Sequence, residues 1–138
     1  MKLRLLVLAL AIGLTSMGQA PSAPKHRALF PLNVPQGDDW GYMLAHVQNL
    51  RADFVNEGGV EVEIVFYNNG INMLNKTTSS YGPALQALAS AGVHLVACRN
   101  SMRSRNLKSE DLFPFITEVN SGVGEIIRKQ ESGWGYIR

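Results

Sequence analysis

The segment at residues 60–67, VEVEIVFY, constrains the fold of this chain most strongly. Val62, Ile64 and Phe66 alternate with charged residues at its start and with apolar residues at its end. Such alternation predicts a β-strand, because successive side chains point to opposite faces of a sheet. A strand that is apolar on both faces is typical of a sheet covered by helices. The segment therefore predicts a buried strand of a helix-covered sheet.

Strand and helix patterns alternate along the rest of the chain. Further strands are predicted at residues 28–34, 93–97, 115–119 and 134–137, the first one near an edge or with a bulge because of its proline. Helical spacing of apolar residues predicts helices that begin near residues 39, 81 and 122. Two further expectations concern the later helices. Ser79 or Ser80 caps the second, Ser121 caps the third, and the third turns Val123, Ile126 and Ile127 inward. The order predicts an α/β domain with a mainly parallel sheet.

The first 20 residues have the pattern of a secretory signal peptide. Lys2 and Arg4 precede a short apolar run, and small residues follow it. Cleavage after Ala20 or after Gly18 fits this pattern, and an uncleaved amino-terminal anchor is the alternative. We expect a signal peptide at residues 1–20, a linker at 21–27 and one domain at 28–138, in a periplasmic or secreted protein.

Charge excludes one class of function. Lys2 and Arg4 account for two of the 13 basic residues, so the 11 that remain balance the 11 acidic ones. A neutral domain argues against nucleic-acid binding. The sequence after the signal contains no apolar stretch long enough to span a bilayer, so we expect no membrane span in the mature chain.

Two polar segments follow strands and should meet at the carboxyl edge of the sheet. The first contains Asn68, Asn69 and Gly70, and the second begins with Cys98, the one cysteine of the chain. Arg99, Asn100 and Ser101 come next, and three more basic residues lie within ten positions. Nearby positive charge favours the thiolate, which is the nucleophilic form. We expect Cys98 to be reactive, with the strand end, the adjacent backbone amides and Arg99 as the main contributors and with Asn100 and Ser101 as donors to the sulfur.

Other readings of the same residues stay open. A lone cysteine at the end of a strand is often a small buried hydrophobic residue. The three histidines show no metal-ligand spacing with Cys98, so we expect no metal, and no motif indicates a cofactor. A Cys–His pair remains open, because such partners meet in space and not in sequence.

Three segments resemble the DsrE/DsrF-like (YchN-like) family. They are VEIVFYNNGINML at residues 62–74, LQALASAGVHLVACRNSMRS at 85–104, and EDLFPFITEVNSGVGEIIRKQESGWGYIR at 110–138. The resemblance begins near Leu29, and the DDWGYMLAHVQNL helix also fits. It implies a three-layer α/β/α domain with a parallel sheet of about five strands, and a homo-oligomer such as a trimer or hexamer.

The resemblance also implies a function. The relatives best understood are sulfur-relay proteins, which carry sulfane sulfur as a persulfide on a cysteine at a strand end and pass it between donor and acceptor proteins. Cys98 occupies the corresponding place, and a second thiol nearby would discharge a persulfide as a disulfide. The loop departs from the family pattern, since Asn68 replaces a glycine. The alternative is a non-catalytic oligomer that binds a small ligand or partner and keeps Cys98 as a structural residue.

Overall fold

Five parallel strands form one sheet in the computed structural model, which describes residues 26–138. The strands are β1 (His26–Leu32), β2 (Val60–Phe66), β3 (His94–Cys98), β4 (Thr117–Val119) and β5 (Gly135–Tyr136). The helices are α1 (Asp38–Asp53), α2 (Gly82–Ser90), α3 (Arg99–Ser104) and α4 (Gly122–Glu131), and 3₁₀ segments lie at Phe54–Glu57, Asn68–Leu74 and Ser109–Asp111. The predicted α/β fold with a mainly parallel sheet of about five strands is confirmed, and helices on both faces agree with three layers.

The amino-terminal predictions reach the described residues only at their end. The predicted signal peptide and the first five linker residues lie outside the described part of the chain. The last two linker residues, His26 and Arg27, are the first two residues of β1, where they pair with Val60 and Glu61 of β2. The strand therefore starts two residues before the predicted Ala28, and the linker prediction is wrong for these two positions.

The strand order places the first strand, β1, inside the sheet. The order is β4-β3-β2-β1-β5, so the chain runs outward from β1 to β4 and then returns across the sheet to β5. The direction of the chain therefore reverses at β1. The carboxyl ends of all five strands lie at one edge, and the segments that follow β1, β2 and β3 are neighbours there.

One face of the sheet packs against α1 and α2. Val62, Ile64 and Phe66 point into this core, as predicted, and Leu85 and Leu88 of α2 pack on them. From α1 the core takes Trp40, Met43, Leu44 and Val47. Each fully buried side chain of this size contributes about 1.5–3 kcal/mol, so this face supplies most of the hydrophobic stabilisation.

The opposite face is covered by α4 and has a much smaller core of Leu29, Val65, Ile126 and Trp134. The predicted inward side of α4 is correct for Ile126 alone. Val123 is 55% exposed and Ile127 is 51% exposed. The residues of α4 that approach the sheet are instead Gly122, Ile126 and Lys129, which are spaced four and three positions apart and so share one helical face.

A buried ion pair anchors the carboxyl-terminal half of α4. Glu63 of β2 is 3% exposed, and its Oε2 lies 2.6 Å from Nζ of Lys129. The same Nζ lies 4.2 Å from the centre of the Trp134 ring, a cation–π contact. The second oxygen of Glu63 has no hydrogen-bond partner within the described residues. Burial raises the pKa of Glu63, although the hydrogen bond and the charge of Lys129 oppose this shift.

Pro31 lies within β1 without breaking the sheet. Leu32 accepts a hydrogen bond from Tyr67 after β2, and Leu29 accepts one from Ile137 after β5. Because backbone groups alternate in direction along a strand, Pro31 points to the β5 side, beyond the last β5 pair at Leu29 and Tyr136. Pro31 thus lies where the edge of β1 is open, and the missing amide costs no ladder bond.

Of the two helix caps predicted from the sequence, the cap of α4 is present in the structure and the cap of α2 is not. The Oγ of Ser121 accepts the amide of Gly124 at 3.1 Å and caps α4, as predicted. The capping position of α2 is Tyr81, so the prediction of Ser79 or Ser80 is wrong. The Oγ of Ser79 instead accepts the amide of Tyr81 at 3.2 Å, and Ser79 lies two residues before the capping position. Among the helices of residues 26–138, none has the length and apolarity to cross a membrane.

Candidate functional site

Cys98 lies where a strand passes directly into a helix. It is the last residue of β3 and the residue that precedes α3. The polar segment that follows Cys98 is a short helix, Arg99–Ser104, which the sequence does not predict. The backbone of Cys98 is still extended, with φ −80° and ψ 113°. The side chain therefore lies beside the first amides of α3 and on the α4 face of the sheet.

Four hydrogen-bond donors act to lower the pKa of the Cys98 thiol. They are the hydroxyl of Ser101 and the backbone amides of Gly122, Ser101 and Asn100. Burial raises the pKa of the thiol, but these four donors favour the thiolate more strongly, so the pKa of Cys98 is lowered overall. Two of the amides belong to α3 and one to α4, so separate segments of the chain must be in place to stabilise the thiolate.

Ser101 connects the thiol to the loop after β2. Its Oγ accepts the backbone amide of Asn68 at 2.8 Å. With its oxygen occupied in this way, the hydroxyl directs its own proton to the sulfur of Cys98. Ser101 is buried, which excludes water as a competing partner. The predicted roles of Ser101 and Asn100 as donors therefore agree with this geometry, although Asn100 contributes its backbone amide.

The Asn68-Asn69-Gly70 segment forms the start of a 3₁₀ turn and not an open loop. Asn68 has φ 50°, a left-handed conformation that asparagine tolerates better than most residues. Arg105 holds the turn, because its Nε donates to the carbonyl of Asn68 at 2.9 Å and its guanidinium also contacts the side chain of Asn69. A Cβ at Gly70 would overlap the carbonyl of Leu32. The three residues therefore shape the wall beside Ser101, and none of their side chains donates to the sulfur.

Gly122 brings α4 into direct contact with the thiol. A Cβ placed on it would lie 3.1 Å from Cβ of Cys98 and 3.0 Å from Cβ of Tyr67. Any side chain here would push the helix away from the sheet and remove the Gly122 amide from the sulfur. The sequence reasoning missed Gly122. The signal was a glycine directly after the helix-capping Ser121, where its position in the helix leaves the amide unpaired.

The basic residues after Cys98 have partners other than the thiol. Nε of Arg99 lies 2.9 Å from Oε2 of Glu118, and the Ser109 hydroxyl and this guanidinium together lower the pKa of Glu118. Arg103 bonds to the side chain of Asn100, and Lys108 pairs with Glu110. Backbone amides and one hydroxyl are the groups that lower the pKa of Cys98, so a role for Arg99 stays a prediction.

Access to the sulfur is restricted. Cys98 is 5% exposed, yet it belongs to neither hydrophobic cluster. It therefore lies in a covered but polar position. Within residues 26–138, no group of three or more His, Cys, Asp or Glu could hold a metal ion. The arrangement can stabilise the thiolate of Cys98 or the anion of a Cys98 persulfide. A reagent reaches the sulfur once the cover over it, which includes the start of α4 at Gly122, moves away.

Comparisons with known proteins agree with this fold. A model of the DsrE/DsrF-like family matches residues 35–138, which include Cys98 and all of its donors. A search of curated proteins gives no match. Among solved structures, the chain is similar to MTH1491, a protein of unknown function from Methanobacterium thermoautotrophicum, with 33% sequence identity. That similarity covers 83% of this chain and 99% of the other, with a TM-score of 0.78.

Proposed function

Because the chain belongs to the DsrE/DsrF-like family, we propose that it is a sulfur carrier in which Cys98 takes up sulfane sulfur as a persulfide and passes it to a partner protein. The observation that supports this most directly is the set of four donors around the Cys98 sulfur. A cysteine that merely filled a core would have no use for them, because they stabilise the anion and not the thiol.

The proposed step is a transfer of one sulfur atom without net oxidation. The Cys98 thiolate attacks the outer sulfur of a donor persulfide, R–S–SH. A new S–S bond forms at Cys98, the donor's S–S bond breaks, and the donor leaves as the thiolate R–S⁻. The outer proton stays on the transferred sulfur or passes to solvent. Delivery to an acceptor thiolate reverses these roles and restores the Cys98 thiolate.

The chain supplies two requirements for this chemistry. The lowered pKa of Cys98 increases the fraction of attacking thiolate, and it also makes Cys98 a better leaving group on delivery. Cys98 is the one cysteine of the chain, so no second thiol within it can convert the persulfide to an intramolecular disulfide.

Intact-mass measurement tests the carrier function. The protein is treated with inorganic polysulfide, desalted and weighed, and then treated with a reducing thiol. We expect a mass increase of one sulfur atom that the thiol removes, and no increase in Cys98→Ser. Circular dichroism and the melting temperature of Cys98→Ser serve as the control for folding. Failure of the folded wild type to gain sulfur at any pH from 6 to 9 would contradict the proposal.

Export and assembly are part of the proposal. Removal of residues 1–20 as a signal peptide would place the carrier in the periplasm or outside the cell, and the family relation supports a trimer or hexamer. Amino-terminal sequencing of protein from the native compartment tests export, and an intact Met1 on membranes would refute it. Sedimentation at micromolar concentration tests assembly, and a monomer would refute it.

The second candidate function is ligand binding with Cys98 as a structural residue. The 5% exposure of Cys98 is the observation that favours it. A thiol that stays inert to alkylation until the protein is denatured, together with a Cys98→Ser variant that loses stability, would favour this function over sulfur transfer. Fast alkylation of the native protein and an unchanged melting temperature in Cys98→Ser would exclude it.

A further inference from the structure

A cleft of about 500 Å³ opens at the carboxyl ends of β1 and β5. Its floor is the end of β1 from Phe30 to Val34, one side is α1, and the other side is the segment after β5. Cys98 does not line it. The volume lies within the range of pockets that bind small molecules in proteins, about 300–1,000 Å³.

The topology of the sheet explains why a cleft forms at this place. The chain leaves β1 through α1 on one face of the sheet, and it enters β5 from α4 on the opposite face. β1 and β5 are therefore adjacent strands whose connections diverge, and a crevice opens between the diverging segments. Ligands of open α/β sheets bind in the crevice at this topological switch point.

The cleft displays aromatic side chains that the fold does not cover. Tyr42 of α1 is 61% exposed and Tyr136 of β5 is 43% exposed, and both line the cleft together with Tyr67. Exposed apolar residues that are scattered singly over a surface are ordinary, but several exposed aromatic side chains in one concavity indicate a binding surface.

Polar groups at the cleft favour a ligand with a hydrogen-bond acceptor. The hydroxyl of Tyr67 accepts a bond from the side-chain amide of Asn33 at 3.1 Å, which leaves the hydroxyl proton available to a ligand. Burial and the neighbouring Tyr136 raise the pKa of Tyr67, so this proton stays in place at neutral pH. Of the charged residues that line the cleft, Asp39 and Arg138 have opposite signs, which gives no preference for a strongly ionic ligand.

An added peptide strand fits this edge poorly. β1 has a free edge beyond its last pair with β5, but the residue there is Pro31, which offers no amide to a strand that docks alongside. A compact molecule that rests on the aromatic side chains needs no such ladder.

From the cleft, the topology and these side chains we infer that the switch-point cleft is a second site, which binds a small, planar, heteroaromatic molecule of low net charge through Tyr42, Tyr136 and the Tyr67 hydroxyl. This site is separate from the thiol. It shares only Tyr67 with the surroundings of Cys98, because Gly122 packs on both residues.

Amide chemical-shift mapping by NMR tests the site in the full chain. The probes are quinoline and adenine, which are planar and carry ring-nitrogen acceptors, with cyclohexanol as a non-planar control. Both planar probes should give saturable shifts confined to the residues of the cleft. Tyr42→Ala should weaken quinoline binding about fivefold, and Tyr67→Phe should weaken it as well because the donor is lost. Ile127→Ala, which removes an exposed apolar side chain outside the cleft, should leave binding unchanged.

Four results would overturn the inference. They are the absence of saturable shifts with both planar probes, shifts centred on Val123 and Ile127 of α4, equal binding of cyclohexanol, and binding that neither Tyr42→Ala nor Tyr67→Phe reduces. Tyr42 is largely exposed, so its variant should fold, and the melting temperature of each variant verifies this.

Discussion

The two faces of the sheet differ in both size and chemistry. On the side of α1 and α2, the cluster contains 20 buried residues, all of them apolar. On the side of α4, the cluster contains four, and beside it lie the buried carboxylate of Glu63 and the thiol of Cys98. The larger core is sufficient to stabilise the fold, and this allows the thinner face to hold polar and ionisable groups that a packed core would exclude.

On the α4 side of the sheet, a single helix contributes both to the thiol site and to the buried ion pair. The first residue of α4, Gly122, donates its amide to the sulfur, and Lys129 near the other end pairs with Glu63. A change that loosens α4 should therefore alter both stability and the thiol, whereas a change in the large core should alter stability alone. Five predictions test this difference, and the largest expected effect comes first.

Leu85→Ala should have the largest effect on stability. Leu85 is a fully buried residue of α2, and its truncation leaves a cavity in the core. This cavity should lower the free energy of unfolding by about 4 kcal/mol. The pKa of Cys98 should stay the same, because no residue of α2 donates to the sulfur. Urea unfolding measures the first quantity, and the pH dependence of iodoacetamide labelling measures the second. If the pKa of Cys98 rises in this variant, the expectation that changes in the larger core alter stability alone is wrong.

Lys129→Met should cost about 3 kcal/mol, because it leaves the buried carboxylate of Glu63 without its partner. It should also raise the pKa of Cys98 as α4 loosens, which labelling would detect. The control is Arg128→Met. The side chain of Arg128 is 60% exposed and pairs with Glu125, so the loss of this ion pair should cost less than about 1 kcal/mol.

The loss in Lys129→Met should also depend on pH. Burial raises the pKa of Glu63 in the folded state, so its contribution to stability is full below the unfolded pKa and is lost as the pH rises through the folded pKa. The variant should therefore approach wild-type stability in acid, where Glu63 is protonated, and differ most at neutral pH. A loss that is constant with pH would show that Lys129 acts through packing alone.

Ser101→Ala should act on the thiol more than on the fold. Removing one hydrogen bond to a charged sulfur corresponds to about 1.5 kcal/mol, or roughly one pKa unit. The rate of labelling near neutral pH should fall accordingly. Ser104→Ala is the matched control, because that hydroxyl donates to the Ser101 carbonyl at 2.9 Å and not to the sulfur. Equal effects of the two substitutions would remove Ser101 from the site.

Arg99→Ala should have the smallest effect. Its guanidinium is half exposed and pairs with Glu118, so the change should cost less than about 1 kcal/mol and leave the labelling profile unchanged. A slower reaction in this variant would restore the role that the sequence predicts for Arg99 and weaken the account based on backbone amides.

Most of the fold could be predicted from the sequence because its larger face follows simple periodicity. Val62, Ile64 and Phe66 repeat at strand spacing and the apolar residues of α1 at helical spacing, and both patterns were correct. The α4 face escaped such reasoning. Its contact residues, Gly122 and Lys129 on either side of Ile126, are not hydrophobic, so an apolar pattern selects Val123 and Ile127 instead.

The position of the candidate site was predictable from the sequence, and so was the part that adjacent backbone amides play in it. Cys98 ends one strand and the segment at 68–70 follows another, and parallel strands bring their carboxyl ends to one edge. Arg99 was given the same weight as the amides because charge is visible in a sequence, whereas the pairing of Arg99 with Glu118 and the approach of the Gly122 amide are not. The helix at 99–104 was missed because RNSMRS is too short to show periodicity.

The cover over Cys98 sets how fast its chemistry can run. Because Cys98 is only 5% exposed, we expect its sulfur to react mainly during local openings of the surrounding segments, which include the start of α4. At high reagent concentration the labelling rate should therefore level off at the frequency of that opening. A persulfide held under the same cover would also survive longer among small thiols, and a partner protein that opens the cover on docking would receive the sulfur first.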